Sequence, residues 1–128
     1  GYLFGVTKIE TIPHRFIPEN ADTVLRDAVV AIDCFDNGQS RRASQSACDR
    51  LGLPLLHAAL AADGTFGRVG WRQNFVVDDE DVAGQPTCED GRHLPFIVRV
   101  ASCAAEALKT FLADGTKRDY PIIVPTRS

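Results

Sequence analysis

Apolar positions recur along this chain in short runs and stripes, and their spacing predicts its elements. Thr7 to Phe16, TKIETIPHRF, interleaves β-branched and apolar residues with polar ones around Pro13. Proline has no N–H to give a ladder, so the run predicts a strand near a sheet edge. In PENADTVLRDA, Asn20 is placed to cap a short helix and Asp22 lies in its first turn, with Val24, Leu25 and Ala28 on its inner face. Ala28 to Asp33, AVVAID, is a continuous apolar run, the pattern of a strand buried on both faces of a parallel sheet. Asn37 then caps a helix over Gly38 to Leu51, whose stripe is Ala43, Ala47, Cys48 and Leu51 and whose stop is Gly52.

LPLLHAAL predicts a second buried strand, and GTFGRVGWRQNFVV reads as antiparallel strand material. The pattern dissolves over Asp78 to Gly91. A long helix follows over Leu94 to Ala113, with Leu94, Ile97, Val98, Ala101, Ala105, Leu108 and Leu112 on one side, Pro95 in the first turn and Gly115 as the stop. DYPIIVPT closes the chain as a last strand. The order β-α-β-α-β-β-loop-α-β predicts an α/β fold: a Rossmann-like open, mostly parallel sheet with flanking helices and an antiparallel portion. Ligands of such sheets sit outside the C-terminal ends of the parallel strands, where Asp33 and Asp36 fall.

Length and composition narrow the classes. The 128 residues suffice for one domain, and a net charge of −3 argues against a nucleic-acid binder held by phosphate contacts. No apolar run approaches the roughly 20 residues needed to cross a bilayer, so no membrane partner is expected. Cys34, Cys48, Cys88 and Cys103 form no C-x-x-C pair, which favours a reducing cytoplasm over a disulfide framework or zinc site. The chain has no methionine and starts at Gly1, so it reads as a trimmed or processed piece.

The strand-end acids carry the candidate chemistry. Asp36 lies in a strand-to-helix turn, where a carboxylate suits Mg²⁺, an ion that takes one or two carboxylates plus substrate phosphates. Arg41, one turn into the helix, can reach back to Asp36 or to a phosphate. The alternative is that Asp33 or Asp36 only caps a helix. His57, at the end of a buried strand, is either a nucleotide contact or a core histidine. The acidic run Asp78–Asp81 is either a solvated loop or a docking patch for a basic partner. ASCAA, Ala101 to Ala105, suits close packing of a helix on a sheet.

VVAIDCFDNGQSRR resembles a segment of the ThiF/MoeB-type activating enzymes, kin of the ubiquitin-activating enzymes. There a buried strand ends in an acid, followed by Cys-x-Asp-Asn and an Arg. LGLPLLHAALAADGTFGRV is similar to that family's next strand and Gly-containing hairpin. QPTCEDGRHLPFIVRVASCAAEALKTFLADG is similar to its crossover loop and following helix. The resemblance covers most of residues 28 to 115. It implies ATP and Mg²⁺ as cofactors and adenylation of the C-terminus of a small ubiquitin-like or sulfur-carrier protein, or of a peptide. Asp36 would bind the metal, Asn37 and Arg41 would serve the nucleotide site, and Cys88 would stand where some members form a thioester or persulfide. Glu89 and Asp90 beside Cys88 would raise its pKa and work against that role.

The family's opening strand, Gly-rich phosphate turn, ribose-binding acid and triphosphate-steadying cations have no counterpart. Gly64, Gly67 and Gly70 lead into WRQNFVV rather than a helix, so they read as a hairpin. Residues 1–128 are therefore expected to be a single partial domain lacking the Gly-rich unit. A missing N-terminal half or a second subunit would complete it, an exposed apolar face would favour a homodimer, and the chain alone would be inactive. The other readings are a non-catalytic interaction module and, more weakly, a nicotinamide-dependent domain.

Overall fold

A computed structural model describes residues 7–61, 63–77 and 94–125. The elements, in chain order, are α1 (Pro18–Leu25), β1 (Ala31–Asp33), α2 (Gly38–Leu51), β2 (Leu55–Leu60), β3 (Gly67–Trp71), a short 3-10 turn (Arg72–Asn74), α3 (Leu94–Asp114) and β4 (Tyr120–Ile123). The strands form one mixed sheet in the order β1-β2-β3-β4.

The expectation of a mostly parallel sheet is corrected. β1 pairs parallel with β2, while β2–β3 and β3–β4 pair antiparallel. The connections explain this. α2 carries the chain back across the sheet between β1 and β2, as a parallel pair requires, whereas β2 and β3 are joined by a short turn that can only reverse the chain. Gly64 lies in that turn at φ +73°. Gly64, Gly67 and Gly70 thus belong to the hairpin, as their sequence context predicts.

Residues 7–16 form no strand. They run unpaired, with Ile9 and Ile12 exposed. Alternation gave them a strand pattern, but no neighbouring edge takes up their backbone groups. In α1 the cap is Ile17 and not Asn20. Asn20 lies in the first turn, where its Oδ1 accepts the Ile17 N–H at 3.0 Å. β1 is shorter than its apolar run and is buried on one face only: Ala31 and Asp33 are buried and Ile32 is exposed between them.

α2 has the predicted bounds. Asn37 caps it by accepting the Ser40 N–H at 2.7 Å, and Gly52 ends it at φ +68°. Its buried side is Ala43, Ala47 and Cys48, joined by Arg41 and Ser44.

The sheet has two apolar faces because strand side chains alternate. Leu56, Val69, Trp71 and Ile123 pack against Phe96, Val100, Ala104 and Ala107 of α3. Ala31 and Leu55 pack on the other face with Cys48 of α2. The face assigned to α3 from the sequence is therefore corrected: of its members, Leu94, Val98, Ala101, Ala105 and Leu112 are exposed. α3 carries two apolar stripes, and the sheet takes the one that approaches Gly67. A Cβ built there would lie 2.7 Å from Val100 Cγ2. Among the described residues no helix is long and apolar enough to cross a membrane.

Candidate functional site

The C-terminal end of β1 meets β2 in a buried polar cluster. The parallel register sets Asp33 opposite His57. Both side chains face the α2 layer, since they share the parity of Ala31 and Leu55. Asp33 is 1% exposed and His57 fully buried, so their polar atoms must find partners inside the protein. Asp33 Oδ2 lies 2.5 Å from His57 Nδ1 and accepts Arg41 Nη1 at 2.8 Å, while Oδ1 accepts the Phe35 N–H at 2.7 Å. Arg41 Nη2 also donates to the carbonyls of Phe35 and, at 3.2 Å, of Ala58.

One tautomer satisfies the imidazole. Its Nδ1–H donates to Asp33, and its Nε2 accepts from Gln45 Nε2 at 3.2 Å. Asp33 and Arg41 thereby form a hydrogen-bonded pair of opposite charge, as a buried cluster requires. Phe75 closes the cluster, stacked on His57 with centroids 4.5 Å apart and covered in turn by the Arg68 guanidinium at 4.6 Å.

Arg41 is thus committed to Asp33 and to two backbone carbonyls, and makes no ion pair with Asp36. It ties the turn after β1 to both strands. Asp36 is exposed on that turn, with Asn37 Nδ2 3.4 Å from its Oδ1. The structure therefore sorts the two acids: Asp33 is an internal anchor and Asp36 faces outward. His57 resolves to a core histidine. A cavity of about 310 Å³ adjoins the first turn of α2, lined among others by Arg15, Phe16, Ile17, Gln39 and Ser40.

Among the described residues no three His, Cys, Asp or Glu side chains converge to hold a metal. Asp36 supplies one hard oxygen ligand, which fits Mg²⁺ only where phosphate oxygens complete the shell. No described strand is followed by a Gly-rich turn into a helix, so the described residues do not fit ATP unaided.

Two thiols near the cluster are held in the protonated form more firmly than a free cysteine. Desolvation, then the Asp33 charge, hold Cys34 above its ordinary pKa, with Arg41 opposing. Burial, then Asp49 and Asp33, push Cys48 up to about 11. Cys88 and the acidic run Asp78–Asp81 lie outside the described residues.

Sequence reasoning missed the role of Asp33, although its signals were present: an acid ending an apolar strand, an Arg eight residues on and a His in the next strand. Only the strand register brings the three together. Compared with known proteins, the chain matches no family model, no curated protein and no solved structure.

Proposed function

We propose that the turn carrying Asp36 and Asn37 is the metal-facing part of a Mg²⁺–ATP site in a Rossmann-like activating protein of the ThiF/MoeB kind. In that reading the complete protein adenylates the C-terminal carboxylate of a small ubiquitin-like or sulfur-carrier protein, or of a peptide. One observation carries the proposal: an exposed carboxylate sits at the C-terminal end of a parallel strand, on a turn held from beneath by buried Arg41, Asp33 and His57. A turn so fixed keeps Asp36 in place without using its oxygens, and preorganisation of this sort is what a metal ligand needs. Asn37, as the helix cap, keeps the first turn of α2 in register with Asp36. Asp36 would hold Mg²⁺ there, and the ion would supply positive charge to offset the leaving pyrophosphate.

A second reading is a non-catalytic interaction module of the same fold. The lack of a phosphate cradle among the described residues favours it for this chain taken alone. Carrier-dependent ATP–pyrophosphate exchange separates the two when the chain is assembled with a partner bearing a Gly-rich βα unit. Exchange that is lost in Asp36→Asn supports the enzyme. Exchange that is unchanged in Asp36→Asn removes Asp36 from the site, and its complete absence in the assembled protein favours the module.

A further inference from the structure

Arg68 carries a charge that no described residue answers. It stands opposite Ala59 in the β2–β3 register, and Ala59 lies two residues beyond His57, so the Arg68 side chain leaves the sheet on the face of the buried cluster. Its guanidinium lies 4.6 Å from the centre of the Phe75 ring. Arg41, Arg50 and Arg72 each pair with an acid. Arg68 is half-buried, and among the described residues the ring is its partner, with no carboxylate or carbonyl on its N–H groups. The acid of the neighbouring cluster is already spent: Asp33 Oδ2 meets His57 and Arg41, and Oδ1 accepts the Phe35 N–H.

The ring beneath Arg68 is fixed from two sides. Phe75 is buried and stacks on His57 with the planes 22° apart. It also lies over Gly70, where a Cβ would come within 3.4 Å of Phe75 Cδ2. A platform held in this way keeps the guanidinium in place through one of its faces and leaves the N–H donors along its edge unused.

We propose that Arg68 on its Phe75 platform is a recognition site for a carboxylate, carried by a small organic acid or by a peptide C-terminus. Shape supports this ligand, because the guanidinium fork matches two oxygens lying in one plane. Charge supports it as well. A half-buried cation without an acid is costly, and one carboxylate cancels it, whereas a phosphate group would bring nearly two negative charges to a partly dry place. Position agrees: Ala59 follows Ala58, whose carbonyl accepts Arg41, so Arg68 sits towards the C-terminal end of β2, where ligands of such sheets gather. The site uses neither a nucleotide nor Asp36, and so stands apart from the adenylation reading.

Nitrogen-15 NMR of this chain tests it, following the Arg68 Nε–Hε signal and the Ala59 and Phe75 backbone amides at constant ionic strength. The probes are sodium acetate, acetyl-Gly-Gly as its free acid, and the same peptide as its amide. Both acids should give saturable shifts at these groups, with a Kd of about 50 mM or tighter, the strength of one charge-assisted pair. The amide and sodium chloride should give none. Arg68→Lys keeps the charge but loses the fork, and should raise the Kd roughly tenfold. Arg68→Gln should abolish the shifts of the two amides, with circular dichroism melts checking that both variants stay folded. A peptide acid that binds tenfold tighter than acetate assigns the site to chain ends, and equal binding assigns it to small acids. Shifts that do not saturate by about 200 mM, an amide as effective as the acid, phosphate binding more tightly than acetate, or binding unchanged in Arg68→Gln would overturn the proposal.

Discussion

Asp33 and His57 face each other across the parallel β1–β2 ladder, and their side chains meet with Oδ2 2.5 Å from Nδ1. Arg41 reaches the same carboxylate oxygen from α2 at 2.8 Å. A strand, its neighbour and the intervening helix are thereby joined through one buried acid, and the turn that carries Asp36 is suspended from it.

This separates two acids that differ little in sequence. Asp33→Asn leaves the Arg41 charge uncompensated in the interior, a loss that costs about 3 kcal/mol or more. Asp36→Asn alters an exposed side chain and should change stability by no more than about 0.5 kcal/mol. Urea unfolding of the two variants measures both. Equal costs would contradict the anchoring role of Asp33. Arg41→Lys should resemble Asp33→Asn more than wild type, because one ammonium cannot span Asp33 and the carbonyls of Phe35 and Ala58 together.

The caps of α2 were legible in the sequence, and the pairing behind the site was not. Asn37 and Gly52 act on their own turns, so local chemistry suffices to find them. Asp33 needs a residue 24 positions away, and only the register of β1 on β2 supplies it. Thr7 to Phe16 shows the reverse: a strand-like pattern that joins no described strand. In α3 periodicity found an apolar stripe but could not choose between two, since the choice depends on which side fits close to Gly67.

The Gly67 contact is a test of that choice. Gly67→Ala would press its Cβ against Val100 Cγ2 at 2.7 Å and the Ala59 carbonyl at 3.1 Å. The expected loss is about 1–3 kcal/mol, the usual range for overpacking. Val100→Ala removes one of the two obstacles. The double variant should therefore be more stable than the sum of the single changes implies, and chemical denaturation of all four proteins gives the coupling. Strict additivity would place the clash elsewhere.

Asp22 and Arg50 join α1 to α2 on the surface, with Arg50 Nη2 2.6 Å from Asp22 Oδ1. The Arg50 hydrogen bond holds the Asp22 carboxyl below its usual range. A folded pKa below the unfolded one means that the contribution is present above the ordinary carboxylate range and fades as pH falls through the lowered value. The melting temperature of wild type should thus exceed that of Asp22→Asn slightly at neutral pH. The gap should close in strong acid, and also shrink with added salt because the pair is exposed. A gap that widens on acidification would refute the assignment.

The last prediction concerns nucleotide binding by this chain alone. A triphosphate needs backbone N–H groups of a Gly-rich turn at a helix N-terminus and cations on its outer phosphates. The glycines of the β2–β3 hairpin lead into a strand and do not form such a turn. Arg41 is committed to Asp33 inside the fold. Asp36 offers one carboxylate, which repels the phosphates until Mg²⁺ intervenes and binds Mg²⁺ poorly until phosphates complete the shell. Each component thus depends on one that the described residues do not supply. Calorimetric titration of Mg²⁺–ATP into the isolated chain should give negligible heat. Adding a partner with a Gly-rich βα unit should produce binding that Asp36→Asn then removes. Micromolar binding by the chain alone would show a nucleotide site that does not depend on such a partner.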